Sequence, residues 1–155
     1  MITAEDIVSY MKKEMIHVDE HSSIYNALKI MVEKKIGAVV VKQNGSVTGL
    51  WTERDLMKLC LSNDFDLKKA RIGDYISSGI NTVPHTTPLN ELQERFLGLY
   101  IRHVFVEKQG KIIGLISCGD AMEAGLHYKT REMEKLNSFV SLDYYENWLR
   151  PPKNQ

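Results

Sequence analysis

The sequence predicts an α/β (α+β) protein made of two β-α-β-β-α modules packed as an internal pseudo-twofold pair, with further helices before and after them. Three observations carry that prediction. The first is a repeat: displacing the chain by 65 positions lays residues 7–58 over 72–123 without a gap. Eleven pairs are then identical, among them Ile7/Ile72, Val39/Val104, Val41/Val106, Gly49/Gly114, Leu50/Leu115 and Asp55/Asp120, where unrelated segments of ordinary composition would match at roughly three. The second is that helical and strand-like apolar patterns alternate in the same order in both copies. The third is a pair of hairpin signals, Asn44-Gly45 and Gln109-Gly110, at equivalent positions. A module of about fifty residues buries a core poorly alone, so the halves are expected to pack on each other. The expected organisation is a first domain over 1–66 that includes an N-terminal helix, a second over 67–124, and a C-terminal helical extension over 125–155.

The elements follow in order. Thr3, with Asp6 three residues on, makes a capping-box-like start for a helix through about Lys13. Residues 16–18 and 81–83 read as short extended segments. Ser23 is placed to cap a helix over 24–35 whose Ile24, Ala27, Leu28 and Met31 share one face. In the second copy Thr87 takes the cap and Pro88 the first helical position, ahead of Leu89, Leu92 and Phe96. Strands are expected over 38–42 and 103–108, returning through the glycine turns as 47–52 and 111–117. A second helix starts just past Thr52 and Ser117.

Composition narrows the function. Twenty Lys and Arg balance twenty Asp and Glu, so the chain lacks the general positive charge by which proteins hold nucleic acid. Apolar runs such as Ala38-Val39-Val40-Val41 are too short to span a bilayer, and residues 1–13 have no secretory apolar core. Cys60 and Cys118 form no CxxC pattern, which suits reduced thiols in a cytoplasm. No nucleophile–base pair, metal cluster or P-loop stands out, so the chain is expected to be non-catalytic, with no nucleic-acid and no membrane partner.

The strand-to-helix corner carries the chemistry. One copy reads Gly49-Leu50-Trp51-Thr52-Glu53-Arg54-Asp55, the other Gly114-Leu115-Ile116-Ser117-Cys118-Gly119-Asp120. A hydroxyl beside unpaired backbone N–H groups at a helix start suits an anion such as phosphate. A carboxylate three residues on lies on the same face and can accept both hydrogen bonds of a ribose diol. A plain helix cap with an acidic first turn explains the same residues, and duplication copies a cap as readily as a site.

These residues resemble the cystathionine-β-synthase (CBS) domain, whose tandem pair is the Bateman module. The resemblance rests on Ile24-x-x-Ala27, the hairpins, Thr52-x-x-Asp55 and Ser117-x-x-Asp120, and covers residues 1 to about 125; Leu92 stands where the second copy's alanine is expected. Arg54-Asp55, Arg102-His103 and the 116–120 segment look like the small stand-alone two-CBS signal-transduction proteins of bacteria. The resemblance implies a regulatory sensor of adenosine nucleotides, with ligand held between the modules and no required cofactor. AMP, ADP or ATP are the implied ligands, with NAD or S-adenosylmethionine as others. It puts the ribose on Asp55 and Asp120. Phosphate falls to Thr52, Ser117, Arg102 and His103, with Arg54 as a further candidate. Adenine lies against Ile16, His17 and Val18 in one cleft and Asn81, Thr82 and Val83 in the other. Gly37 and Ala38 stand where the second copy has Arg102 and His103, so unequal occupancy of the clefts is expected. A homodimer and an unknown effector protein are the expected partners. The alternative is an interaction protein with vestigial clefts that works through its C-terminal helix.

Other features have plainer readings. His17-Val18-Asp19-Glu20-His21 superficially resembles a metal run, but its repeat mate keeps none of the pattern. Cys60 is expected to be a buried small hydrophobe, and Met31, Met57 and Met122 to face the core. Trp51 aligns with Ile116 and is expected to pack. Leu126, Met133 and Val140 recur every seven residues, while Lys129 and Asp143 interrupt the companion series. Phe139, Leu142, Tyr144, Tyr145, Trp148 and Leu149 make the end of the chain apolar enough to dock on this subunit or on another.

Overall fold

The structure is a computed structural model that describes residues 1–62, 64–76 and 80–148, with side chains to residue 139. The elements are α1 (Ala4–Met11), β1 (His17–Asp19), α2 (Ile24–Lys34), β2 (Ala38–Gln43), β3 (Ser46–Thr52), α3 (Glu53–Leu59), a 3-10 turn (Ile72–Tyr75), β4 (Thr82–Pro84), α4 (Leu89–Gly98), β5 (His103–Lys108), β6 (Lys111–Ser117) and α5 (Cys118–Trp148). Two three-stranded sheets result, ordered β1-β2-β3 and β4-β5-β6. In each, the first strand runs parallel to the central one and the third antiparallel. This is the expected duplicated α/β architecture. Both hairpins turn through two residues with positive φ, Asn44 and Gly45 in one and Gln109 and Gly110 in the other, as a type I′ turn requires. Both break register at one point, between Val41 and Lys42 and between Val106 and Glu107.

Each sheet buries one face against its helices. Val39, Val41 and Trp51 meet Ile24, Ala27 and Met31 in the first core; Val104, Val106 and Ile116 meet Leu92, Phe96, Ala121 and Ala124 in the second. Trp51 is fully buried, as expected of a packing residue. Side chains alternate along a strand, so Val40 and Phe105 point to the opposite faces, where they too are buried.

The segments that precede the two modules are exchanged. Helix α1 packs on the second module: Ala4 N–H donates to the Thr87 carbonyl at 2.8 Å, Leu89 N–H to the Ile2 carbonyl at 2.9 Å, and Ala4 and Ile7 enter the second core. Glu5 pins it further by taking a hydrogen bond from the His85 ring at 2.8 Å and an ion pair from Lys108. In return, the chain before β4 packs on the first module. Ile24 N–H donates to the Ala70 carbonyl at 3.0 Å, Ile72 N–H donates to the Ser22 carbonyl at 2.9 Å, and Ile72 enters the first core. The two identical glycines sit under this exchange: a Cβ on Gly114 would lie 2.6 Å from Val8, and one on Gly49 would lie 3.1 Å from Ile76.

Three local expectations change. The cap of α4 is Pro88, without a side-chain bond, instead of Thr87; Thr87 is buried where its carbonyl receives α1. Cys60 is exposed at the C-cap of α3. Met57 and Met122 are 68% and 61% exposed, and only Met31 of the three is core. Helix α3 has no fully buried residue; Leu56 and Leu59 are the half-buried pair it sets against the first core, and Met57 lies off that face. Along α5, Leu126, Met133, Leu136 and Phe139 are exposed; the docking expected of Leu142, Tyr144, Tyr145, Trp148 and Leu149 lies outside the described side chains. No described helix is long and apolar enough to cross a membrane.

Candidate functional site

Strand β3 passes directly into α3, and β6 into α5, with no intervening loop. At the first corner Asp55 Oδ2 accepts the Thr52 backbone N–H and hydroxyl, both at 2.9 Å. At the second, Asp120 Oδ2 accepts the Ser117 N–H at 2.8 Å and its hydroxyl at 2.7 Å, while Asp120 N–H donates back to Ser117 Oγ at 3.1 Å. Both corners are therefore genuine helix caps. The cap engages one carboxylate oxygen and fixes the other. Asp55 Oδ1 has a cation only at 4.0 Å, Lys58 Nζ. Asp120 Oδ1 is ion-paired with Lys13, which arrives from the linker after α1.

A cavity of about 500 Å³ opens between the modules, a size that suits a small organic ligand. Its first wall is Gly37, Leu50, Thr52, Glu53, Arg54, Asp55, Met57 and Lys58; its second is Ile80, Asn81, Tyr100, Ile101, Arg102, His103 and Phe105. Leu50 and Phe105 supply an apolar floor from the two sheets, and both corner residues of the first module face the basic pair of the second. Tyr100, held at φ 52°, turns the chain out of α4 towards β5. Asn81 is fixed as its carbonyl accepts Phe105 N–H at 2.8 Å.

The cavity wall carries Arg54, Lys58 and Arg102 against Glu53 and Asp55. Burial pushes His103 below its ordinary range; the nearby carboxylates of Asp120 and Glu53 pull the other way, and Arg102 adds to the depression. Burial alone would raise the Asp120 carboxyl, but Lys13 and the Ser117 donors outweigh it and hold the group below its ordinary value.

The cavity gathers Thr52, Arg54, Asp55, Asn81, Arg102 and His103. It does not include Ser117 or Asp120, nor Ile16, His17, Val18, Thr82 or Val83. Val18 and Val83 point into the helix-facing cores, and Ile16 packs beside the first. His17 and Thr82 are exposed on the outer strands. Sequence reasoning missed Glu53, Lys58, Tyr100 and Lys13. Lys58 was within reach, since it lies one helical turn past Asp55. Lys13 was not: it meets Asp120 across 107 positions of sequence.

The family model for the CBS domain matches residues 1–62 and again 72–127. The chain belongs to the CBS-domain family. Among curated CBS proteins it is similar to a mitochondrial CBS domain-containing protein of Arabidopsis thaliana, with 30% identity over 128 residues. That match spans 79% of this chain and 62% of the relative's length. Among solved structures, a CBS-domain containing protein of Agrobacterium tumefaciens superposes with a TM-score of 0.73 at 30% identity, covering 79% of this chain and 98% of that one. A CBS domain protein of Pyrobaculum aerophilum, solved in complex with AMP, shares the fold at a TM-score of 0.65 and 21% identity, over 77% of this chain and 89% of that one.

Proposed function

We infer that this CBS pair is a regulatory, non-catalytic binder of adenosine nucleotides, with AMP the ligand its charge suits best. The observation that carries the reading is the cavity that sets Asp55 and Thr52 of one module opposite Arg102 and His103 of the other. The free Asp55 oxygen accepts from a ribose diol. Arg102 supplies a guanidinium fork to a phosphate, and Arg54 and Lys58 add cations from the facing wall. Three cations against two carboxylates suit a monophosphate better than a triphosphate. The AMP complex of the Pyrobaculum aerophilum protein supports the ligand class. The residues assigned to ribose and phosphate remain this proposal's own, as does action in a reducing cytoplasm, where the two cysteines stay free.

A thermal-shift panel of AMP, ADP, ATP, NAD, S-adenosylmethionine and adenosine tests the reading. Ligand at a hundred times its Kd adds about 2.7 kcal/mol, or roughly 5–10 °C in Tm for a chain of this size. No shift with any of them at millimolar concentration overturns it. The exposed Leu126, Met133, Leu136 and Phe139 of α5 favour a second role, helix-mediated pairing into a homodimer or onto an effector. Sedimentation velocity reads that role directly, and a monomer at tens of micromolar counts against the homodimer.

A further inference from the structure

We propose that Lys13 is the residue that decides which of the two corners takes ligand, by occupying the second one as an internal cation. The inference rests on the nucleotide reading above and extends it to the site that reading leaves unused. At both corners the aspartate Oδ2 accepts the cap hydroxyl and leaves Oδ1 to other partners. Those partners differ. Asp55 Oδ1 has Lys58 at 4.0 Å and opens on the cavity. Asp120, whose side chain is only 9% exposed, has its Oδ1 taken by the ammonium of Lys13, which reaches it from a 59% exposed position.

The contact is built into the fold. Helix α1 rests on β6 and on the start of α5, which brings its C-terminal end beside the second corner. Lys12, at φ 47°, then reverses the chain in the left-handed conformation, and Lys13 follows directly. Sixty-five positions on, the sequence has Ser78, which carries no cation, so the duplication did not supply the first corner with an equivalent residue. The ammonium meets the oxygen on which a ribose diol would bond. A buried carboxylate that is already paired offers little to a neutral hydroxyl, because the diol must displace a charge-assisted bond.

The chemistry of the second corner also names what it accepts once opened. The two cations that follow the first corner on its own helix, Arg54 and Lys58, have the repeat mates Gly119 and Glu123 after the second, so the second corner's helix brings no cation for a phosphate. Freed of Lys13, the second corner is a site for an uncharged ribonucleoside, while the first remains the site for a nucleotide.

The test titrates adenosine by calorimetry into Asp55→Ala, which silences the first corner, and into the double variant Asp55→Ala/Lys13→Met. The single variant is expected to bind no adenosine, and the double variant one equivalent that a third change, Asp120→Ala, removes. One equivalent bound by the single variant, or none by the double variant at millimolar adenosine, overturns the proposal. A separate readout needs no nucleotide: acetylation of Lys13, followed by mass spectrometry, is expected to be several-fold slower in the wild type than in Asp120→Asn. Equal rates would show that the ion pair does not exist and end the proposal. Failure of the wild type to bind AMP sinks the nucleotide reading alone, because the labelling comparison still judges Lys13.

Discussion

Replacing Asp55 by alanine removes a helix cap and a proposed ribose acceptor together, and the structure allows the two losses to be sized separately. The cap consists of Oδ2 accepting the Thr52 N–H and hydroxyl, both at 2.9 Å. Losing such a cap costs about 1 kcal/mol, or roughly 2–4 °C in Tm for a chain of this length. The ribose contacts fall to Oδ1, whose nearest cation stands 4.0 Å away. Two hydrogen bonds to a charged acceptor contribute about 1.5–3 kcal/mol each. Taking the lower figure for both, AMP affinity should fall on the order of 100-fold. Asp55→Asn separates the effects, since its amide oxygen still receives the Thr52 donors while an NH2 group, which cannot accept from a diol, takes the place of Oδ1. Its Tm should stay close to wild type, with binding weakened nearly as much as in Asp55→Ala, roughly 10- to 100-fold. Calorimetric titration with AMP and a melting curve for each variant supply both numbers. An Asp55→Ala protein that melts lower yet binds AMP like the wild type would show the carboxylate to be a cap and nothing more.

Arg102→Gln should weaken AMP roughly 10- to 100-fold and leave adenosine affinity unchanged; an equal loss for both ligands would move Arg102 away from the phosphate. Gly114→Ala places a Cβ 2.6 Å from Val8, so α1 must shift on the second module, and a loss of about 1–3 kcal/mol in denaturant unfolding is expected. Because Lys13 and Ser117 depress the folded Asp120 carboxyl, the unfolded chain binds more protons there at acid pH. That stability is present above the unfolded carboxyl range near 3.9 and is lost as pH falls through the folded value. Lys13→Met should therefore unfold at a higher pH in acid titration, and an unchanged midpoint would refute the coupling.

What the sequence revealed and what it hid divide along sequence separation. The strands, the hairpins and both corners depend on neighbours within a few residues, and the repeat doubled every such signal; β5 and β6 fall on their expected bounds. The exchange of α1 and the 67–76 segment between modules depends on contacts across many tens of residues. No local pattern encodes those, although the identity of Gly49 and Gly114 is intelligible once Ile76 and Val8 are seen above them. Met57 and Cys60 were misplaced for a related reason. Helical periodicity says which residues share a face but not whether anything covers it. Helix α3 ends at Leu59 without fully burying a residue, whereas its counterpart α5 buries Ala121 and Ala124 under α1 and α4. The candidate site was legible as a list of residues, and its grouping was not: Asp55 and Arg102 come from different copies, and only the packing of the pair puts them in one cavity.

That cross-module grouping gives the proposed ligand a way to signal. A molecule held by one module alone would stabilise that module and leave the pair's arrangement unbiased, since a ligand shifts a conformational equilibrium only through its differential affinity for the states. A nucleotide whose ribose rests on Asp55 and whose phosphate rests on Arg102 spans both modules, so any movement of one against the other lengthens one of its contacts. The pseudo-twofold symmetry would cancel this bias if two such ligands bound equivalently. The symmetry is broken in the side chains instead: Arg54 and Lys58 follow the first corner where Gly119 and Glu123 follow the second, Arg102 and His103 stand in one copy where the other has Gly37 and Ala38, and Lys13 lies across the second carboxylate. A net charge of zero overall thus conceals a one-sided distribution, and under the proposed reading that one-sidedness would let a single nucleotide pull a near-symmetric pair off its axis.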